Sequence, residues 1–318
     1  MISVPRNFAG AADVGPICDL LNACDAVDKL DDNYSVEDLR REYASPEVDP
    51  ARDLRLWEDE NGLLKGFGRI GVPTSLEYAD VYVYVRVHPD ARGQGLEREI
   101  MAWCEERARE VAAERALPGR VLSRTRDYDA YGRGILEEHG YHVVRYFFLM
   151  KRPLDEPIPG PQFPEGFTLR HSEGEADAER WVEMFNDSFV DHWNHHPRHL
   201  EGHKHWLSSP KYNPARDLIA LAPDGTFAAF CLCGIDPDDN ARNNRSEGWI
   251  HILGTRRGYR KIGLGRAMLL AGLHRLKADG VEVAKLGVDA DNLTGALRLY
   301  ESAGFQKEQI NVSYCKEL

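Results

Sequence analysis

Hydrophobic and polar positions follow two different periods along this chain, and the same order of periods occurs twice. LRLWEDENGLLKGFGRI (54–70) sets two apolar runs around an Asn61-Gly62 turn, and LIALAPDGTFAAFCLCGI (218–235) does the same around Asp224-Gly225. Each predicts a β-hairpin. A β-rich run follows in both places, VYVYVRV (81–87) and WIHILGT (249–255). Next comes a glycine-bearing turn that opens an amphipathic helix, RGQGLE (92–97) against RKIGLG (260–265). In the second copy Leu269, Leu273 and Leu276 fall at i, i+4 and i+7, one face of a helix. Later, ILEEHGY (135–141) matches LYESAGF (299–305). The pentapeptide PARDL begins at Pro50 and again at Pro214, and all these pairs keep an offset of 163 to 168 residues. The chain therefore reads as two copies of one unit. Within a copy the expected order is amphipathic helix, hairpin, long strand, glycine turn with helix, strand, short helix and last strand. Trp181, Phe185, Phe189 and Trp193, spaced by four, mark the first helix of the second copy and read as a core stripe.

Between the copies lies RPLDEPIPGPQFPEG, Arg152 to Gly166, with five prolines. Such a density excludes helix and central strand, so residues 151–165 are expected to form a semi-rigid linker. The expected domains are 1–150 and 166–318. Their fold class is α/β (α+β), each copy a mixed, mostly antiparallel sheet flanked by helices.

A net charge of −12 argues against general binding to nucleic acid or to an anionic membrane. No apolar run is long enough to span a bilayer, and MISVPRNFAGAADVG has no basic start followed by an apolar stretch. The six cysteines form no CxxC pair and read as reduced thiols, so a cytoplasmic location is expected.

Against this acidic background the turn of the second copy stands out. Arg256, Arg257, Arg260, Lys261 and Arg266 lie within eleven residues that contain no acidic one. Gly263 and Gly265 remove side chains where backbone N–H groups at a helix start would be covered, so residues 262–266 can approach a phosphate. In the first copy Arg92 and Gly95 match, but Glu97 stands where the second copy has Gly265. A carboxylate there repels a pyrophosphate. Val83, Tyr128 and Leu136 stand where the second copy has His251, Asn292 and Tyr300. The first copy is accordingly expected to be degenerate and non-catalytic.

The spacing Arg260, Gly263, Gly265, followed by DADNLTGALRLYESAGF (289–305), resembles the GNAT acyltransferase superfamily, and the doubled layout resembles its tandem members. The resemblance covers nearly all of the C-terminal half. It implies acetyl-CoA as cosubstrate, with the pyrophosphate on the amides of Lys261, Ile262, Gly263, Leu264, Gly265 and Arg266, and Arg260 in the same motif. It implies pantetheine along Leu253, Gly254 and Thr255, with Asn292 on the pantetheine arm and Tyr300 near the thioester sulphur. The plain alternative for Asn292 is a helix N-cap.

Acyl transfer to an amine needs a neutral amine, a polarised carbonyl and a proton for the leaving thiolate. The backbone N–H near Leu253 suits the carbonyl, and Tyr300, ordinarily protonated at neutral pH, suits the thiolate. Alternation on the strand puts Glu247, Trp249, His251 and Leu253 on one face. His251 is the first candidate base and Glu247 the second. HWNHHPRHLEGHKHW (192–206) holds six of the twelve histidines. It has no familiar metal spacing, Pro197 interrupts any helix through it, and the resemblance implies that it lines the acceptor pocket. The expected function is acetyl transfer from acetyl-CoA to the amine of a small molecule by the C-terminal half, without metal. An acyl-CoA-binding sensor without turnover and a peptide or protein N-acetyltransferase are the alternatives.

Overall fold

The computed structural model describes residues 4–75, 77–292 and 295–318. The chain divides into two compact units, Met1–Arg145 with Asn311–Leu318, and Tyr146–Ile310.

Unit 1 runs β1 (Val4–Asn7), α1 (Ala11–Asp28), α2 (Val36–Tyr43), a short turn α3 (Pro50–Asp53), β2 (Leu54–Glu58), β3 (Leu64–Gly71) and β4 (Ala79–Val87). Then come α4 (Leu96–Arg115), β5 (Gly119–Arg126) and α5 (Ala130–Glu138). β1 to β4 pair antiparallel in order, and β4 pairs β5 in parallel. One face of the sheet packs Ile100, Met101, Cys104 and Ala108 of α4; the other packs Ile17, Leu21 and Leu39 of α1 and α2.

Unit 2 opens with β6 (His142–Pro153), whose residues from Phe147 pair antiparallel with β11. It continues through β7 (Thr168–His171), α6 (Ala178–Phe189), α7 (Leu200–Leu207), β8 (Asp217–Leu221), β9 (Phe227–Gly234) and the short α8 (Pro237–Arg242). β10 (Glu247–Thr255), α9 (Leu264–Ala278), β11 (Val283–Asp289), α10 (Ala296–Ser302) and β12 (Gln306–Glu317) complete the order. β9 reads FAAFCLCG and is buried at seven of its eight positions. A strand covered on both faces carries no alternation. α9 and α10 cover one face, with Leu264, Met268, Leu273 and Tyr300; α6 covers the other, with Trp181 and Met184 against Phe230.

The compact units differ from the sequence boundaries at 150 and 166 in one respect. Each copy's last strand belongs to the other unit. From Asn311 onward β12 pairs antiparallel with β5 in unit 1, and the matching part of β6 pairs with β11 in unit 2.

The proline-rich stretch also differs from a free linker. Its first residues, Arg152 and Pro153, finish β6. Beyond them Ile158, Phe163 and Phe167 pack on the core of unit 2. Arg152 donates to Ala303 O at 2.6 Å and to Pro157 O at 2.9 Å, and His274 Nε2 lies 3.0 Å from Pro159 O. Backbone that cannot enter a ladder is thus fixed to the surface by side chains. All six cysteines are free and buried, and among the described residues no helix is long and apolar enough to cross a membrane.

Tyr314 tests the strand exchange. It is fully buried in the core of unit 1, and its hydroxyl donates to Glu137 at 2.8 Å. Tyr314→Ala should cost about 3 kcal/mol. Hydrogen exchange should show the loss of protection in residues 4–145; a loss confined to residues 166–310 would contradict the exchange.

Candidate functional site

The site of unit 2 is built where two strands part. β10 and β11 pair in parallel from Glu247↔Val283 to Ile250↔Leu286, and the pairing stops there. β10 continues to Thr255 on the β9 side alone. At the same point β10 carries a bulge, with a register shift between Ile250 and Ile252. One extra residue, His251, rotates everything after it by one face. Leu253 therefore sits opposite Cys231 and packs with the α9 core, while Ile252 and Gly254 pair with Leu232 and Phe230 on the α6 face. This corrects the expected alternation: Leu253 does not share a face with Glu247 and Trp249. A bulge is a ladder irregularity that period-two counting passes over.

The turn after β10 is made of left-handed residues. Lys261 has φ 65° and Gly263 φ 86°; Gly93 and Gly95 of unit 1 have φ 70° and 94°. The two copies share this backbone. Gly263 precedes α9 and points the first amides of the helix outward, where no intrahelical acceptor exists. A Cβ at Gly265 would lie 3.4 Å from Thr255 Oγ1 and 3.9 Å from Leu299 Cδ2. Both are ordinary van der Waals distances, so a carboxylate at this position would act through its charge and reach rather than through crowding.

In unit 1 the same turn has its own anion. Glu97 Oε1 accepts the Gly93 N–H at 2.8 Å and the Tyr131 hydroxyl at 2.9 Å. The guanidinium of Arg92 lies 3.9 Å from the centre of the Tyr131 ring and pairs with Asp28 at 2.7 Å through both terminal nitrogens.

The basic cluster of the second turn is largely neutralised in space. Arg256 pairs with Asp187 and Glu183, and Arg257 pairs with Asp191. Arg260 donates to Thr255 O at 3.1 Å, Ser188 O at 2.9 Å and Asp191 Oδ2 at 2.7 Å. Arg92 clamps its own turn in the same way, donating to Val87 O at 3.3 Å. The arginine of the motif thus ties the turn to the strand end. Sequence counting missed this because Glu183, Asp187 and Asp191 lie some 70 residues away. Arg266 donates to Ser302 at 2.8 Å. Lys261 and Ile262 are exposed at the mouth of the turn.

His251 stands over Gly234: a Cβ on that glycine would lie 2.2 Å from His251 Nε2. Its ring runs parallel to Trp249, with centroids 6.4 Å apart. The ring keeps access to solvent, yet protein surrounds it, and that desolvation lowers its pKa below 6.5. It is therefore neutral at neutral pH and able to accept a proton. Glu247 is differently placed. The buried Lys285 lies 3.0 Å from Glu247 Oε1 and 3.2 Å from Glu308 Oε2, so the carboxylate is held in an ion pair. Lys285 was legible only as a lone cation in the apolar run VAKLGVD.

Tyr300 lies in the α9 core, 7% exposed, with its ring edge-on to Phe305. Burial raises its pKa above the ordinary value, which keeps its proton in place. Among the described residues its hydroxyl has no protein hydrogen-bond partner. Asn292 Oδ1 accepts the Ala296 N–H at 3.3 Å at the start of α10, whose N-cap residue is Gly295.

The histidine-rich segment divides. Leu200–Leu207 is helical after Pro197, and His203 is buried, stacked on Trp181 at 4.3 Å and on Trp206 at 5.9 Å. Burial lowers its pKa to about 4. His203 and Trp206 thus belong to the core, which corrects their expected place in an acceptor wall. Trp193 lies beyond the end of α6 and meets Phe147, with centroids 6.0 Å apart. Among the described residues no group of three or more His, Cys, Asp or Glu is arranged to hold a metal ion.

The sequence model of the Acetyltransferase (GNAT) family matches residues 17–132 and 178–305. The chain is 32% identical to a mycothiol acetyltransferase of Thermobispora bispora over 72% of its own length and 73% of the relative's. It is 28% identical to that of Salinispora tropica over 97% and 94% of the two chains. Among solved structures, a GCN5-related N-acetyltransferase from Sphaerobacter thermophilus superposes with a TM-score of 0.74 at 27% identity, covering 99% of this chain and 95% of that one. A tandem GNAT protein from the clavulanic acid biosynthesis pathway gives 0.71 at 16% identity, covering 99% and 98%, a likeness of fold.

The titration of His251 can be followed by NMR on its ring carbons. A pKa below 6.5 is expected, and Gly234→Ala should move it by displacing the ring. A value at or above 6.5 in the unmodified chain would contradict the burial argument.

Proposed function

Because the chain belongs to the GNAT acetyltransferase family, whose members use acetyl-CoA, we propose that unit 2 performs the transfer, to the amine of a small molecule, and that unit 1 does not. The observation that carries this division is the contrast at one turn. In unit 1 Glu97 accepts the Gly93 N–H, the counterpart of Lys261, while unit 2 has Gly265 in place of that carboxylate and leaves its turn without one.

The residues present fit an acyl-CoA. The amides from Lys261 to Arg266 would hold the pyrophosphate, with the helix start adding roughly 0.3–1 kcal/mol. Leu253, Gly254 and Thr255 would carry the pantetheine on the open side of β10, and the Asn292 amide would meet its arm. Acetyl-CoA supplies the acetyl group as a thioester. The backbone N–H near Leu253 polarises the carbonyl, Tyr300 protonates the departing thiolate, and His251 takes the proton of the amine. The ion pair with Lys285 makes Glu247 the poorer base.

The acceptor acetylated by the mycothiol acetyltransferase relatives is the first amine to test. Thiol release from acetyl-CoA should be measured across a panel of amines that includes it. Tight acetyl-CoA binding with no release for any amine would favour a sensor without turnover.

Calorimetric titration with acetyl-CoA should find one strong site per chain. Gly265→Glu copies the carboxylate of unit 1 into unit 2 and should weaken binding at least tenfold, about 1.4 kcal/mol. Two sites of equal affinity would show that Glu97 does not close the first turn.

Tyr300→Phe keeps the ring and its packing and removes one proton. kcat should drop roughly 10²–10⁴-fold with acetyl-CoA affinity almost unchanged. Retention of kcat in a folded variant would leave Tyr300 a packing residue.

A further inference from the structure

Unit 1 holds a cavity that acetyl transfer in unit 2 does not use. Its volume is about 410 Å³, in the range of small-molecule sites. It opens where β4 and β5 part, since their parallel pairing stops at Tyr82↔Leu122. Its charged lining is Asp32 from the loop after α1, Arg86 from β4, and Arg124 and Arg126 from β5.

The loop that carries Asp32 is strained. Lys29, Asp31 and Asn33 have φ values of 54°, 63° and 52°, three left-handed non-glycine residues at alternate positions. Backbone of this kind persists only where surrounding contacts over-determine it. Here Arg126 donates to Leu30 O at 3.2 and 2.8 Å, and Tyr128 donates to Lys29 O at 2.8 Å. The result is that Asp32 faces the cavity, 3.3 Å from Arg126 and 3.6 Å from Arg86, with the Tyr34 hydroxyl at 3.2 Å.

Arg86 lines the cavity beside Asp32. It donates one N–H to Val85 O at 3.0 Å and stands beyond good hydrogen-bond distance of Asp32. Protein surrounds it, yet 22% of its side chain is accessible, as for a group that lines a cleft. Three guanidinium groups face one carboxylate, so the lining carries a surplus of two positive charges. Tyr34, Tyr82 and Tyr84 add ring surface that an inorganic anion would leave uncovered. Burial, reinforced by Asp32, raises the pKa of Tyr34, so its hydroxyl remains a donor.

We infer that this cavity binds a small organic dianion of the dicarboxylate type, with its carboxylates toward Arg86 and Arg124 and its carbon spacer against the tyrosine rings. The site is separate from the transfer machinery of unit 2 and gives unit 1 a ligand of its own. Succinate is the probe, titrated into the full chain by calorimetry and followed by thermal unfolding. One site per chain and a rise in Tm are expected. Arg86→Lys keeps the charge but loses the planar fork, and should weaken succinate at least tenfold while leaving acetyl-CoA affinity unchanged. Arg124→Gln, at an exposed position, should weaken it several-fold and serves if Arg86→Lys does not fold. No binding up to about 10 mM, far weaker than ordinary metabolite sites, would overturn the proposal. So would equal binding by the variants, inorganic phosphate binding as tightly as succinate, or displacement of succinate by acetyl-CoA.

Discussion

A helix that begins after a left-handed turn leaves its first backbone N–H groups without intrahelical acceptors, and this chain carries such a turn twice, once with a carboxylate beside it and once without. In unit 1 Glu97 reaches back across the turn to the Gly93 N–H, ahead of the helix, and is buttressed by Tyr131. In unit 2 the corresponding position is Gly265, which has no side chain to reach back with. The shared φ values of the two turns show that the backbone did not change. A single side chain separates the two turns, and the difference it makes is one of charge.

The same turn depends on an arginine clamp. Arg92 and Arg260 each donate to the carbonyl at the end of the preceding strand, and each meets an aspartate from the first helix region, Asp28 or Asp191. These contacts hold the strand end, the turn and the helix start together. The role suits arginine's planar fork, which binds carbonyl and carboxylate at once. The bulge at His251 is the second geometric device. It places one ring on Gly234 and turns Leu253 toward α9, so that the two sides of one strand carry different chemistry.

Much of this was legible in the residues. The doubled order of hairpin, strand, glycine turn and helix follows from local periodicity and turn chemistry, and both are properties of neighbouring positions. The departure of Glu97 from Gly265 was visible as a pair of letters with an electrostatic meaning. The aromatic stripe of α6 was read as core, and Trp181 is fully buried.

The sequence by itself determined the repeat, the order of its hairpins, long strands and glycine-turn helices, and the residue types available at the two turns. Tertiary structure alone decided how charges and faces are spent. It set Glu183, Asp187 and Asp191 against the basic cluster, buried Lys285 beside Glu247, and put His203 on Trp181. It also exchanged the last strands between the units. The physical reason is one of range. Periodicity and turn propensity act over a few residues, whereas ion pairs, bulges and strand partners depend on which distant segments arrive side by side.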